Sequence, residues 1–211
     1  MKFAKEGWPI AGVAAGAAVI LGLVFGPVVF GGVALSALGA LLFFRDPERV
    51  GPTEATAVVS PADGRVVFAE DGAPPHRFSS GSTVKVAIFM SPLDVHINRA
   101  PVDGELEKVE HRPGQFGAAY RADAGDINES NSILLRTRAG AEVVVVQIAG
   151  WLARRIICHV ATPGRLSRGE RFGLIMFGSR VDVYLPAGSR LAVKPGQMVK
   201  SGETTLGWLE S

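Results

Sequence analysis

Few side chains in this sequence are equipped for covalent or acid–base chemistry. It has one cysteine, Cys158, and four histidines, His76, His96, His111 and His159. A lone cysteine excludes an intrachain disulfide and a multi-cysteine zinc site, and suits a reducing compartment. In the run Ile156-Ile157-Cys158 it reads as a small buried apolar residue. The pair Gly178-Ser179 has the spacing for a self-contained reaction. A serine hydroxyl that attacks the preceding carbonyl shifts the acyl group from nitrogen to oxygen, and glycine lets the peptide take the strained geometry this needs. Gly-Ser is also a common turn, so the pair means little without its neighbours. Asp63-Gly64 is in the same position, as an ordinary hairpin dipeptide. A histidine such as His96, titrating near pH ~6.5, is suited to donating and recovering a proton at neutral pH. His76, after Ala73-Pro74-Pro75, reads as a solvated loop residue, and His159, beside Cys158 in an apolar run, as a core histidine.

These groups need a frame, and beyond Pro52 the chain supplies short runs rich in valine and isoleucine between Gly, Pro, Asp and Asn, the pattern of strands bounded by turns. Strands are expected over Ala57 to Ser60, Gly64 to Ala69, Thr83 to Phe89, Gly104 to Glu110, Ser132 to Arg138, Glu142 to Ala149, Ile156 to Val160, Arg180 to Leu185 and Arg190 to Val193. Leu93 to Asn98 and Gln147 to Ile157 each have room for a helical turn. The expected fold is mainly β, a compact antiparallel sandwich or open barrel with few short helices. Val59 to Val67 and Leu191 to Glu203 echo each other and look like the half-barrel turns of biotinyl and lipoyl carrier domains. That offers a second reading, a membrane-anchored carrier module, but no convincing hairpin-tip lysine is present. A hydrophobic share of 47% over 211 residues supports one domain with a real core and an appendage. A net charge of +2, spread rather than blocked, gives no footprint for a nucleic-acid partner.

The appendage is amino-terminal: residues 9–44 carry no charged side chain and are broken once, by Gly26-Pro27. Each half, about 17 residues, would span roughly 26 Å as helix against a hydrocarbon core of roughly 30 Å. Lys2 and Lys5 flank one end and Arg45 and Arg49 the other, so the positive-inside rule is met at both ends if the chain enters and returns as a hairpin. Both flanks would then be cytoplasmic at the inner, or cell, membrane. A single kinked span is the alternative, and would put the following domain on the opposite side. A cleaved signal peptide is a further competing reading, disfavoured by the length of the apolar stretch and by its direct passage into Arg45-Asp46-Pro47.

Several blocks, in order, make the chain from about Phe43 to its end resemble phosphatidylserine decarboxylases of the short bacterial and archaeal type. They are Phe44-Arg45-Asp46-Pro47-Glu48-Arg49, Ser60-Pro61-Ala62-Asp63-Gly64, Phe89 to Pro101, Asn128-Glu129-Ser130-Asn131, Gln147-Ile148-Ala149-Gly150 with Ala153-Arg154-Arg155-Ile156, and Arg168 to Gly173 leading to Phe177-Gly178-Ser179-Arg180-Val181-Asp182. The resemblance implies a membrane-anchoring hairpin over 1–44 and a pyruvoyl-dependent decarboxylase domain over 45–211. That domain would cut itself between Gly178 and Ser179 into a 1–178 β chain and a 179–211 α chain that stay associated. Ser179 would become a covalent pyruvoyl group. This would form a Schiff base with a serine phospholipid in the membrane and release carbon dioxide, with no metal or diffusible cofactor. An ester-linked phosphatidylserine and an ether-linked archaetidylserine share the headgroup concerned, and a homodimer would suit the family.

The resemblance also assigns roles to individual residues. His96 matches a histidine linked to decarboxylation, as proton donor, and Asp63 the acidic member of a self-cleavage triad. The triad's histidine is not matched, since three residues after His96 stands Arg99. Either His96 serves both steps, or Arg99 stabilises the oxyanion while another base acts. His111, in His111-Arg112-Pro113-Gly114-Gln115-Phe116, would line the substrate entrance or sit in a surface turn. Arg154 and Arg155 would meet the lipid phosphate, or else form a solvated strand end.

Overall fold

The computed structural model describes residues 2–79, 83–121, 123–151, 155–176 and 178–210. The chain divides into two units, Met1–Glu48 and Arg49–Ser211. The first consists of β1 (Lys2–Phe3), α1 (Gly7–Phe25), α2 (Pro27–Phe43) and β2 (Arg45–Asp46). α1 stops where Gly26 turns to φ +90°, and Pro27 opens α2 at a position where its missing N–H breaks no helical bond. The two helices fold back as a hairpin: β1 pairs antiparallel with β2, and glycines make room for aromatic rings. A side-chain carbon on Gly22 would lie 2.7 Å from Phe30, and one on Gly7 2.8 Å from Phe44. The outward residues Leu23, Val24 and Val28 are exposed and apolar. α1, with a mean hydropathy of 2.1, is long and apolar enough to cross a membrane by length and composition; α2 is a shorter apolar helix of 17 residues.

The second unit runs β3 (Ala57–Val59), β4 (Gly64–Ala73), β5 (Thr83–Met90), β6 (Ile97–Arg99), β7 (Gly104–Arg112), α3 (Ala124–Ile127), β8 (Ser130–Arg136) and β9 (Glu142–Ile148). It continues with β10 (Ile156–Cys158), β11 (Gly164–Leu166), β12 (Arg171–Ile175), β13 (Ser179–Pro186), β14 (Arg190–Leu191), β15 (Met198–Val199) and β16 (Thr205–Trp208). An eight-stranded sheet has the order β11-β7-β8-β9-β13-β5-β4-β15; two three-stranded sheets are β10-β12-β6 and β14-β16-β3. All pairings between these named strands are antiparallel. The main core includes Ile88, Ile133, Val145 and Val183 from the large sheet, Phe172 and Ile175 from one small sheet, and Val58 and Leu206 from the other. The unit is therefore layered as a sandwich, with the large sheet's inner face turned to the two small sheets.

The large sheet's other face is also buried where β8, β9 and β13 run. Leu134, Val144, Val146 and Ile148 cluster there with Phe78 and Tyr184. Burial on both faces is why β9 reads Glu-Val-Val-Val-Val-Gln-Ile, a continuous run rather than an alternation. The two echoing segments lie side by side: Val199 pairs with Gly64, Val66 N–H donates to Gln197 O, and Gly202 N–H donates to Ser60 O.

Several local expectations are corrected. Leu93 to Asn98 holds a turn and then β6, because Asn98 and its neighbours are drawn into pairing with β12. The described parts of Gln147 to Ile157 hold the ends of β9 and β10 and no helix. Cys158 is half-buried and His159 exposed, at the edge strand of a small sheet. His76 is half-buried instead of solvated, packed between the rings of Phe78 and Tyr184.

Candidate active site

The chain crosses from a small sheet to the large one between Ile175, the last residue of β12, and Ser179, the first of β13. Gly178 lies in that crossing with φ +62°, in the left-handed region that glycine enters without a steric penalty. Its carbonyl oxygen is pressed against Gly150, just beyond β9: a side-chain carbon on Gly150 would lie 1.7 Å from it and 3.7 Å from Ala119 Cβ. No larger residue fits at 150, so the carbonyl preceding Ser179 has a fixed wall.

Ser179 is completely buried and pairs with Met90 at the end of β5. Its hydroxyl donates to Met90 Sδ at 3.4 Å, a weak acceptor that leaves the oxygen lone pairs unused by that bond. From Met90 a chain of neutral polar groups runs inward. Asn98 Nδ2 approaches Met90 Sδ at 3.9 Å, Gln147 Nε2 donates to Asn98 Oδ1 at 2.9 Å, and Asn131 Nδ2 donates to Gln147 Oε1 at 2.9 Å. Asn98 reaches across from β6; Asn131 and Gln147 occupy neighbouring places on β8 and β9. Gly173 makes the crossing possible, since a side chain there would meet Ile157 O at 2.2 Å and Gln147 Nε2 at 3.0 Å.

His96 precedes β6 and is buried. Its carbonyl accepts from Ile175 N–H at 3.4 Å, which sets it beside the same crossing. Ring nitrogen Nδ1 lies 2.9 Å from Asp94 O, a group that can only accept, so Nδ1 carries the proton and Nε2 is the basic nitrogen. Asp63 lies in the turn before β4. Its carboxylate accepts from Arg49 Nη2 at 2.8 Å and from Ser201 N–H at 2.8 Å. Burial pushes the Asp63 carboxyl above its ordinary value and the charge of Asp94 adds to this, while Ser201 and Arg49 pull the other way. Asp63 and the turn carrying His96 thus feel one another electrostatically, whereas the hydrogen bonds of Asp63 go to Arg49 and Ser201 and that of Ser179 Oγ goes to Met90.

Arg99 donates from its backbone N–H to Pro61 O and from Nη1 to Gly169 O at 2.9 Å. One residue from Asn98 on a strand, it faces the other way. Arg155 is exposed, and its carbonyl accepts from Met176 N–H at 3.0 Å, two residues before Gly178. Arg154 lies outside the described residues. His111 is exposed on β7, separated from β13 by β8 and β9, with Nε2 3.0 Å from Glu129 Oε1.

The family model described as phosphatidylserine decarboxylase matches residues 38–207. The chain belongs to the phosphatidylserine decarboxylase family. Among curated relatives, proteins named phosphatidylserine decarboxylase proenzyme from Mycobacterium leprae and Mycobacterium tuberculosis are each 49% identical to it over 174 residues. That alignment covers 82% of this chain and 72% and 75% of theirs, respectively. Met90, Asn98, Asn131, Gln147 and Gly150 fall inside the blocks that carry the resemblance, yet the sequence alone gives none of them a role. Gln147 carried a usable signal, an amide inside the unbroken apolar run of β9, since a buried amide must find partners.

Proposed function

We propose that this chain cuts itself between Gly178 and Ser179 and then decarboxylates phosphatidylserine to phosphatidylethanolamine and carbon dioxide. The observation that carries this reading is the Gly178–Ser179 peptide, half-buried at its glycine and fully buried at its serine, with the glycine in the left-handed region, its carbonyl walled by Gly150 and the serine hydroxyl held by a thioether alone among the described contacts. In the cut, Oγ bonds the Gly178 carbonyl carbon as the C–N bond breaks, and the hydroxyl proton passes to the departing nitrogen. Loss of the α-proton of residue 179 then expels the Gly178 carboxylate. Water replaces the nitrogen left on residue 179, which departs as ammonia. Residues 1–178 form the β chain and 179–211 the α chain, capped by a pyruvoyl group.

The site suits such a cap. Ser179 is buried among a thioether and neutral amides, and the lysine of β5, Lys85, is on the opposite face of the sheet, tied to Asp182 at 3.3 Å, where it does not compete for a carbonyl. When present, the group supplies a ketone that takes up the substrate amine and accepts the electron pair released with carbon dioxide. His96 Nε2, basic at rest, takes up a proton from water and passes it to the carbon that loses the carboxylate. Asp63, held by Arg49 and the Ser201 N–H, is the acidic residue assigned to the self-cleavage step. Arg99, committed to Gly169, is assigned no part. The exposed fork of Arg155 meets the lipid phosphate. The apolar hairpin anchors the chain in the cell membrane with both of its ends, and therefore the β unit, on the cytoplasmic side.

Intact-mass measurement of the purified full-length protein tests the reading directly. Two chains are expected, the smaller beginning at residue 179, blocked to amine reagents and reactive to carbonyl reagents. A single chain, or a smaller chain with a free amino terminus, would overturn it. Protease added to sealed cytoplasm-side-out membranes should reach the β unit; protection would reverse the assigned side.

A further inference from the structure

The residue after Ser179 makes the most heavily bonded side chain near the site, and it does so on the sheet's other face. Arg180 is completely buried. Nε donates to Asp182 Oδ1 at 2.7 Å and Nη2 to Asp182 Oδ2 at 2.8 Å, a bidentate pair. Nη1 donates to two main-chain carbonyls of a distant segment, Ala119 at 3.3 Å and Arg121 at 2.6 Å. That segment is pinned at its start by Asn128, whose side chain exchanges hydrogen bonds with the N–H and C=O of Gly117 at 2.9 Å each and donates to Ala149 O at 2.8 Å. Between the pins lies Ala119, whose Cβ is 3.7 Å from the point a side-chain carbon on Gly150 would occupy, the same point that lies 1.7 Å from the Gly178 carbonyl oxygen.

We propose that Arg180 is a positioning residue, a latch that holds segment 117–121 and thereby fixes the Gly150 wall behind the Gly178 carbonyl. The proposal rests on the self-cleavage reading for its purpose. A planar guanidinium can grip a carboxylate with one edge and two carbonyls with the remaining nitrogen; a lysine ammonium, a single point of charge, cannot do both. Asp182 also takes Lys85 at 3.3 Å, so two cations share one carboxylate and the guanidinium keeps donors for the carbonyls. When the chain is cut, the bonds to Asp182 stay within the α chain and those to Ala119 and Arg121 cross to the β chain. The latch then holds the new chain end as well.

Arg121 offers a direct readout, because its carbonyl, the group trypsin must attack, is the one Arg180 holds. Arg180→Lys, and Gly125→Ala, are compared with the parent in the full-length protein and again in a Ser179→Ala background that cannot be cut. Gly125→Ala keeps every charge and sets a methyl carbon 2.9 Å from Arg180 Nη2. In the uncut background, tryptic cleavage after Arg121 should rise about 10-fold or more, with cleavage after Arg138, exposed at the far end of the sheet, unchanged. In the cleavable background, two-chain formation should slow by about 10- to 100-fold, the cost of a small misplacement of reacting groups. Gly125→Ala should give the same pattern more weakly. No change at Arg121, or an equal rise at Arg121 and Arg138, overturns the latch. Should the parent itself never yield two chains, the cleavage reading fails, while the trypsin comparison still decides whether Arg180 holds the segment.

Discussion

Ser179 and Arg180 are neighbours in the chain, yet they face opposite sides of one sheet into opposite kinds of environment. The inner side, reached by Ser179, is neutral: a thioether followed by Asn98, Gln147 and Asn131. The outer side, reached by Arg180, is ionic, with buried Asp182 and half-buried Lys85 beside it. Strand alternation permits this division within a single dipeptide. A hydroxyl that must act as a nucleophile benefits from lacking a strong partner, while the structure that holds its peptide still benefits from strong, directional bonds. The sheet keeps the two requirements apart.

The largest break on the inner side is Ser179→Ala, which should leave one uncut chain and no decarboxylation, because alanine has no hydroxyl for the acyl shift. Electrophoresis is enough to check it, and two chains at the same boundary would point to an outside protease. His96→Ala should still yield two chains, at least in part, and turn over lipid about 100- to 10,000-fold more slowly, the usual yield of general acid–base catalysis. Processing assayed beside turnover separates the two roles, and a fully processed, fully active variant would remove His96 from both.

On the outer side, Asp182→Asn in the Ser179→Ala background leaves the buried Arg180 without its anion. A loss of about 3–5 kcal/mol in denaturant unfolding is expected. The inner side should respond less: Gln147→Leu strands the side chains of Asn98 and Asn131 at a cost of about 1–3 kcal/mol. Replacing all three amides by leucine should cost less than that single change if their value is mutual satisfaction, and a larger loss from the triple variant would contradict it. The smallest effect concerns His76, held down to about 4 by burial and by the charges of Arg77 and Arg112. The unfolded chain takes up this proton near pH ~6.5 and the folded chain only near 4, so the stability it lends is full above ~6.5 and lost as pH falls toward 4. His76→Gln should flatten that part of the melting-temperature profile by a few degrees; an unchanged profile would show that another group sets it.

Much of the frame was legible because local rules and tertiary context agree. β9 follows a continuous valine run and β5 and β13 follow valine-rich runs with apolar residues at alternate positions, and the hairpin break follows from Gly26-Pro27. β6 was misjudged because Leu93 to Asn98 has no strand signature of its own; pairing with β12 makes it one. The short strands β11, β15 and β16 are likewise products of their partners. His76 looked solvated because its neighbours are prolines, and no local pattern announces that Tyr184 will lie over it.

Residue identity and chain periodicity are enough to read the family, to expect a break at Gly178-Ser179, to see the apolar hairpin and to send residues 179 and 180 to opposite faces. The folded chain alone reveals that Gly150 backs the Gly178 carbonyl, that Asn98, Gln147 and Asn131 form one chain of amides, that Arg99 turns to Gly169, and that Arg180 closes on Ala119 and Arg121. Each of those contacts joins residues about 30 or more apart except the amide pair Asn131–Gln147, and the physical reason is the same throughout. Which distant groups meet is set by how sheets pair and stack, a property of the whole chain that no local window of residues contains.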